Sequence, residues 1–321
     1  MSDKIYGKIM QGVGGLYSVR ITACDTDDEN IIGSTVSCRA RGSFRHNNLS
    51  PLAGDNVILS YTRLDKKDSA EEYVIEEIYE RRSALIRPPL ANLDYLFITL
   101  AAASPKPVLS TVDKLISIAE FNEIEPIIVI TKCELDQEYA SKLKDIYENS
   151  GFTVFCLSAV EDINVEPIDE FIKSALPSRL AAFAGASGIG KSTLLNRLFP
   201  SLSLSTSEIS RKIQRGKHTT RKVELFPINF SEGSGEVGYI ADTPGFSMLD
   251  FERFDFFEKD DLVYTMREFR PYINQCKYTK CSHTKEDGCA IISALKDGKI
   301  ERTRHQSYCE LYDVLKVKTK W

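Results

Sequence analysis

The sequence predicts an α/β chain with a doubly wound parallel sheet at its centre, a small β-barrel before it and a metal-binding segment after it. Three observations carry this. Apolar strand-like runs alternate with helix-period segments through the middle of the chain, a glycine-rich G-x-x-x-x-G-K-S loop sits at Gly185–Ser192, and cysteines and a histidine crowd Cys276–Cys289. At 321 residues the chain fits two or three domains. Its 42% hydrophobic and 27% charged content is that of a globular protein. A net charge of −5 excludes binding to nucleic acid by bulk charge and leaves room for a local basic face. No apolar run reaches the ~18–20 residues of a membrane span; the longest, Tyr95 to Ala103, suits a buried strand. The first residues open onto no signal-peptide core, so a cytoplasmic protein is expected. Eight cysteines in such a chain point to reduced thiols and a metal site.

Residues 1–72 are expected to form the barrel. Alternating patches at Tyr17–Thr22, Thr35–Arg39 and Asn56–Tyr61 lie between glycine turns, and the OB-fold is one five-stranded solution. Arginines flank Phe44 in Arg39–Arg45, as on a single-strand-binding surface, although for three arginines alone a solvated strand-loop is the better explanation. Arg81–Pro89 looks like a linker. Residues 73–250 carry the α/β pattern. Its strands are expected at Tyr95–Ala103, Pro126–Thr131, Thr153–Leu157, Leu180–Gly185 and Val237–Asp242. Its helices are expected at Thr111–Phe121, Tyr139–Asn149 and Pro167–Ala175, with another after the glycine-rich loop. Residues 251–321 are charged, aromatic and expected to be helical.

The loop Gly185, Ala186, Ser187, Gly188, Ile189, Gly190, Lys191, Ser192, with Thr193 opening the helix, has the composition of a phosphate cradle. Glycines let successive N–H groups wrap an anion at a helix N-terminus. Lys191 would reach the β- and γ-phosphates, and the Ser192 hydroxyl would ligate Mg²⁺. The pattern arises by chance in roughly one chain of this length in a hundred. A strand before it and a helix after it lower those odds further.

Asp242-Thr-Pro-Gly245 ends a predicted strand, where Asp242 can hold Mg²⁺ through water and the Gly245 N–H can meet the γ-phosphate. Thr131, Lys132, Cys133 and Glu134 resemble the guanine-recognition pattern N-K-x-D, whose carboxylate accepts hydrogen bonds from guanine N1–H and the 2-amino group. Adenine offers neither donor. Ser158 and Ala159 could supply a backbone N–H to the guanine oxygen. In ordinary GTPases the phosphate loop precedes the guanine motifs. Here Thr131–Glu134 and Ser158-Ala159 come first, which makes the domain circularly permuted.

This order, the β-rich start and the C-terminal cysteines resemble the RsgA (YjeQ) family of circularly permuted ribosome-assembly GTPases. The resemblance rests on Arg87-Pro-Pro89, Gly185–Thr193, Gly216–Arg221 and Asp242–Phe246 and covers nearly the whole chain. It implies an OB-fold, a permuted GTPase domain using GTP and Mg²⁺, and a zinc domain. It also implies hydrolysis stimulated by the small ribosomal subunit during late maturation of that subunit. Two residues depart from the common pattern. Thr131 replaces Asn and lacks the amide that would brace the loop, and Glu134 replaces Asp and moves the carboxylate by one methylene.

Phe246 occupies the place of the water-positioning Gln of Ras-type GTPases. His218 is the nearest polar candidate for that task, and a contact with RNA or solvent explains it equally. Thr219 or Thr220 would close on Mg²⁺. Arg211, Lys212, Arg215, Lys217, Arg221 and Lys222 make the same segment basic, suited to rRNA phosphates or to a solvated face. Cys276, Cys281, His283 and Cys289 offer three thiolates and an imidazole for a structural Zn²⁺, with His305 or Cys309 as replacement ligands. Cys24, Cys38, Cys133 and Cys156 read as small core residues. The expected partners are the small ribosomal subunit and its rRNA, with no membrane, and the expected state is a monomer. The rival reading is a nucleotide-sensing RNA-binding scaffold with a degenerate hydrolytic site.

Overall fold

The computed structural model describes residues 4–25, 31–46, 49–63, 71–200, 223–230, 236–243 and 257–317. Along them run strands β1 (Ile5–Val13), β2 (Leu16–Cys24), β3 (Thr35–Ala40), β4 (Asn56–Arg63), β5 (Glu71–Ile78), β6 (Ala84–Leu85), β7 (Leu90–Ala91), β8 (Tyr95–Ala101), β9 (Glu125–Thr131), β10 (Thr153–Cys156), β11 (Leu180–Ala184), β12 (Glu224–Asn229) and β13 (Val237–Asp242). The longer helices are α1 (Leu109–Phe121), α2 (Gln137–Asn149), α3 (Glu166–Ala175), α4 (Lys191–Leu198), α5 (Ala290–Lys296) and α6 (Arg302–Val317). The chain divides into two compact units. One holds Met1–Asp94, Leu176–Ala182 and Thr219–Gly245; the other holds Tyr95–Ala175, Phe183–His218 and Phe246–Trp321.

In the first unit, β1 pairs with β2, β2 with β3, β3 in parallel with β5, β5 with β4, and β4 back with β1. That circuit closes a five-stranded barrel of OB topology, which leaves no open edge. The two-residue turn Gly14-Gly15 joins β1 to β2, and both glycines have positive φ, as a type I′ hairpin requires. Alternate residues point inward, so Ile9, Val19, Ile21, Val57, Leu59 and Ile75 form the barrel core. Cys38 joins that core as expected, whereas Cys24 is only half-buried.

The expected linker is instead built into the first unit. The Arg81 guanidinium forks onto the fully buried Asp55 carboxylate at 2.7 and 2.8 Å, and Leu85 is buried on β6 beside β7. Charge density in Arg81–Pro89 resembles a solvated linker because the acceptor lies 26 residues upstream. Later in this unit, β11 runs parallel to β13, and β12 runs antiparallel to it. Gln11 of β1 pairs with Glu224 of β12. Pro227 hid β12 from sequence reading, since proline weakens any strand signal.

In the second unit, β8, β9 and β10 are parallel, with Phe97 opposite Ile127 and Ile127 opposite Thr153. Ile127–Ile130 are at most 1% exposed, as expected for a strand covered on both faces. Helix α1 buries Val112, Leu115, Ile116 and Ala119, the positions whose spacing predicted it. Asp136 caps α2 by accepting from Tyr139 N–H at 3.0 Å. Phe171 of α3 packs edge-on against Tyr95 and Phe97, and Phe183 stacks on Phe97 at 4.6 Å between ring centroids.

The described part of 257–317 contains no strand, and two 3₁₀ turns, Leu262–Thr265 and Arg267–Tyr272, precede α5 and α6. Arg304 of α6 is 0% exposed. It donates to Asp113 of α1 at 2.6 Å and to Glu268 at 2.7 and 3.3 Å. The guanidinium also lies over Phe152, 5.3 Å from the ring centroid. Burial alone would lower the Arg304 pKa, but the charges of Asp113 and Glu268 outweigh it and raise it. Arg304→Leu would leave both carboxylates without their counter-ion. It should therefore cost about 3–5 kcal/mol, read as a lower denaturant midpoint, whereas Arg302→Leu at the start of the same helix should change little.

Candidate nucleotide site and metal centre

The phosphate loop is set by close backbone approach. Gly185 has φ 146° and would place a Cβ 2.3 Å from the Thr99 carbonyl oxygen, so a side chain there collides with β8. Gly188 and Gly190 adopt φ 80° and 92°. Helix α4 then starts at Lys191 without a side-chain cap, which leaves its first N–H groups for an anion. Lys191 Nζ lies 3.4 Å from the Gly185 carbonyl oxygen, across the mouth of the loop.

The guanine-motif residues hold this loop from outside. Thr131 is 2% exposed, and its hydroxyl lies 2.5 Å from the Ile189 carbonyl oxygen and 3.1 Å from that of Leu100. A single hydroxyl proton serves one acceptor at a time. The expected loss of a brace at Thr131 therefore does not occur, because the shorter side chain sits close enough to reach Ile189 directly. Lys132, with φ 57°, donates to Gly188 O at 2.7 Å and to Ser104 O at 2.5 Å. Glu134 Oε2 is buried and accepts no hydrogen bond among the described residues. An acceptor kept from water without a donor is costly, and guanine N1–H and the 2-amino group are donors of the right kind.

Ser158 and Ala159 follow β10. Ser158 is fully buried, and its N–H and C=O exchange hydrogen bonds with Ile163 at 2.9 and 3.0 Å. Cys133 is buried as expected, with its thiol pushed up by burial, while Cys156 is half-buried and pushed up to about 11 for the same reason. Asp242 ends β13 in the first unit, and the following Thr243 hydroxyl is buried without a hydrogen-bond partner among the described residues. His218, Thr219, Thr220, Gly245, Phe246 and the basic residues 211–222 lie outside the described residues.

The metal candidates converge. The ligand atoms of Cys276, Cys281, His283 and Cys289 all lie within 4.8 Å of one another. Cys276 Sγ is 3.8 Å from Cys289 Sγ and 3.5 Å from His283 Nδ1, which is 3.4 Å from Cys289 Sγ. A zinc tetrahedron with Zn–S of ~2.3 Å and Zn–N of ~2.0–2.1 Å has edges of ~3.8 and ~3.5 Å, so the donor set fits Zn²⁺. The Ala290 N–H points at Cys276 Sγ from 3.3 Å, a donor suited to a thiolate. His305 is not a ligand; it hydrogen-bonds the His283 carbonyl oxygen at 2.8 Å. Cys309 lies beside His305, 3.8 Å from its Nδ1.

Sequence reading passed over Glu286. Its carboxylate accepts from the Ser282 hydroxyl and from the N–H groups of Ser282, Thr284 and Lys285, the first of these amides at 2.8 Å. Burial alone would raise this carboxyl, but the hydrogen bonds outweigh it and lower it to about 2. The signal was an acid three residues after the histidine ligand, which spacing alone does not set apart from Lys285 or Asp287.

Gly185→Ala should destabilise the protein by about 2–4 kcal/mol, seen as a lower melting temperature, because the obstacle is backbone. Glu286→Ala should speed metal loss to a chelator several-fold at neutral pH, followed by dye-reported zinc release. Chelation should raise hydrogen exchange across 276–289 while leaving the Arg304-held part of α6 protected.

The comparisons agree with this geometry. A family profile described as RsgA GTPase matches residues 78–252, and one described as RsgA N-terminal domain matches residues 6–68. The chain is 39% identical to a Ruminiclostridium cellulolyticum protein named small ribosomal subunit biogenesis GTPase RsgA, covering 97% of this chain and 93% of that one. A Clostridium botulinum protein of the same name is 35% identical, with 98% and 99% covered. Among solved structures, YjeQ from Thermotoga maritima superposes with TM-score 0.77 at 28% identity, covering 98% of this chain and 100% of that one. YloQ, described as a circularly permuted GTPase, gives TM-score 0.72 at 32% identity, with 99% and 97% covered. A closed barrel, a guanine motif that precedes its phosphate loop, and a Cys₃His cluster thus coincide with family matches over nearly the whole chain, which belongs to the RsgA GTPase family.

Proposed function

We propose that this protein hydrolyses GTP in the late maturation of the small ribosomal subunit, binding the subunit in its GTP state and leaving it after hydrolysis. The observation that carries the reading is the join between the two recognition loops. Thr131 and Lys132 grip the carbonyls of the phosphate loop, and the buried Glu134 oxygen beside them awaits a donor. The names of the relatives support the ribosomal assignment.

In this reading Gly185–Thr193 cradle the phosphates, and Lys191 meets the β- and γ-oxygens. Glu134, Lys132 and Ser158-Ala159 hold the base. Ser192 and Asp242 would hold Mg²⁺, which would supply positive charge against the negative charge that develops as the γ-phosphoryl group leaves. Thr219 or Thr220 would complete the metal shell, the Gly245 N–H would meet the γ-phosphate, and His218 would orient the attacking water. Cys276, Cys281, His283 and Cys289 would hold Zn²⁺ in a structural role, since four protein ligands would leave no open position. Residues 1–72 serve as the OB-fold RNA-binding domain, 73–250 as the permuted GTPase domain and 251–321 as the zinc domain. The protein acts as a cytoplasmic monomer on rRNA. Among the described residues no helix is long and apolar enough to cross a membrane.

Phosphate release from GTP and ATP, each with and without small ribosomal subunits, tests the proposal. Release should be specific to GTP and accelerated by the subunit. Lys191→Ala should abolish it with little change in melting temperature. Co-sedimentation should favour a non-hydrolysable GTP analogue over GDP by tenfold or more, and added salt should weaken it. Equal pelleting with both nucleotides and no release would establish the scaffold reading instead.

A further inference from the structure

The loop after β10 is a closed unit. Ser158 and Ile163 exchange two backbone hydrogen bonds, and Glu161 N–H reaches the Ser158 hydroxyl at 3.1 Å. Asp162 and Asn164 take positive φ of 57° and 55°, and Asn164 Nδ2 returns to the Cys156 carbonyl oxygen at 3.3 Å. At the rim of this unit Asp162 faces Arg197 in the last turn of α4. The pair is bidentate, with Nε on Oδ1 and Nη2 on Oδ2, both at 3.0 Å. Parallel N–H···O bonds fix orientation as well as distance. Arg197 holds the Asp162 carboxyl below the usual carboxylate range.

Helix α4 therefore carries phosphate chemistry at one end and a base-loop contact at the other. Lys191 and Ser192 open it, and Arg197 stands near its close. We propose that Arg197 and Asp162 form a positioning clamp. It seats the Ser158-Ala159 backbone amide against the 6-oxo group of guanine, so that base discrimination depends on the helix that binds the phosphates. The inference rests on the nucleotide reading above and adds to it a positioning pair that touches neither base nor phosphate. Asp162 and Arg197 are 59% and 51% exposed, so the effect is modest, about two- to fivefold in affinity.

Three nucleotides separate a clamp from a mere brace. ITP lacks only the 2-amino donor, and 6-thio-GTP keeps both donors but offers a weaker acceptor at position 6. Calorimetric dissociation constants are measured for GTP, ITP and 6-thio-GTP on wild type, Arg197→Ala, Asp162→Ala and the double exchange Arg197→Asp/Asp162→Arg. Each alanine variant should lose two- to fivefold for GTP and the same factor for ITP, and less for 6-thio-GTP. The preference for GTP over 6-thio-GTP thus shrinks; the melting temperature should hold in Arg197→Ala and fall by a few degrees in Asp162→Ala, because position 162 has a left-handed φ of 57°. The double exchange should recover at least half of the loss. Equal losses for all three nucleotides, or unchanged GTP affinity, would overturn the clamp while leaving the nucleotide site standing. Wild type that binds none of the three would overturn the site reading and the clamp together.

Discussion

A loop that turns its N–H groups toward an anion must turn its carbonyls away from it, and those carbonyls need donors. This is the constraint on which the nucleotide site depends. Gly188 O and Ile189 O receive Lys132 Nζ and the Thr131 hydroxyl, which come from the end of β9 rather than from the loop itself. The same segment carries Glu134, whose buried Oε2 has no hydrogen-bond partner among the described residues. In the proposed reading, base recognition and phosphate binding therefore meet at one set of hydrogen bonds. The order of the motifs in the chain is immaterial to this arrangement. Thr131 and Ile189 are 58 residues apart with the guanine motif first, and the contact works in either direction.

The C-terminal segment is held differently. Its two 3₁₀ turns and the joint between them bury Leu262, Met266 and Phe269, and polar anchors add to that apolar core. Arg267 reaches Glu125 at 2.6 Å and also binds Glu120, which accepts Arg270 as well. Arg304 is the deepest of these anchors. A buried guanidinium adds stability only when its carboxylates are placed in advance, and the desolvation cost makes the net gain small. Loss of one partner is a different matter, because the remaining charges stay buried. Such a network contributes specificity of docking more than free energy. The loop of Cys276–Cys289 rests on α6 through His305 and Tyr308, which meet the carbonyl oxygens of His283 and Ser282.

The repeating parts of this fold were legible and the long-range parts were not. β9, β13 and α1 announced themselves because burial on both faces, or on one helical stripe, imposes a composition. β12 did not, since Pro227 masks it. Arg81–Pro89 read as a linker because nothing local reveals that Asp55 is waiting for Arg81. In the site, glycines and cysteines leave local signals, so the turn at Gly185–Ser192 and the convergence of Cys276–Cys289 were open to sequence reading. Thr131 could not be judged that way. Whether a hydroxyl can replace an amide depends on a separation of 2.5 Å to Ile189, which is a property of packing. Glu286 and Arg197 were invisible for the same reason, since each acts through backbone or charge partners that spacing does not specify.

These anchors also bear on how a nucleotide could move the molecule. Gly185 abuts Thr99 of β8, α1 follows β8, and Asp113 and Glu120 of α1 hold Arg304 and Arg267. From the phosphate loop to the C-terminal helix, the second unit is thus a continuous run of close contacts. Continuity alone transmits nothing; an element must have two arrangements that the ligand can choose between. The contacts along this run do not suit that role. A Cβ-free approach of backbone to backbone admits one geometry, and a buried guanidinium between two carboxylates cannot slide without leaving a charge unpaired. The C-terminal segment therefore rides with the phosphate loop as part of its frame.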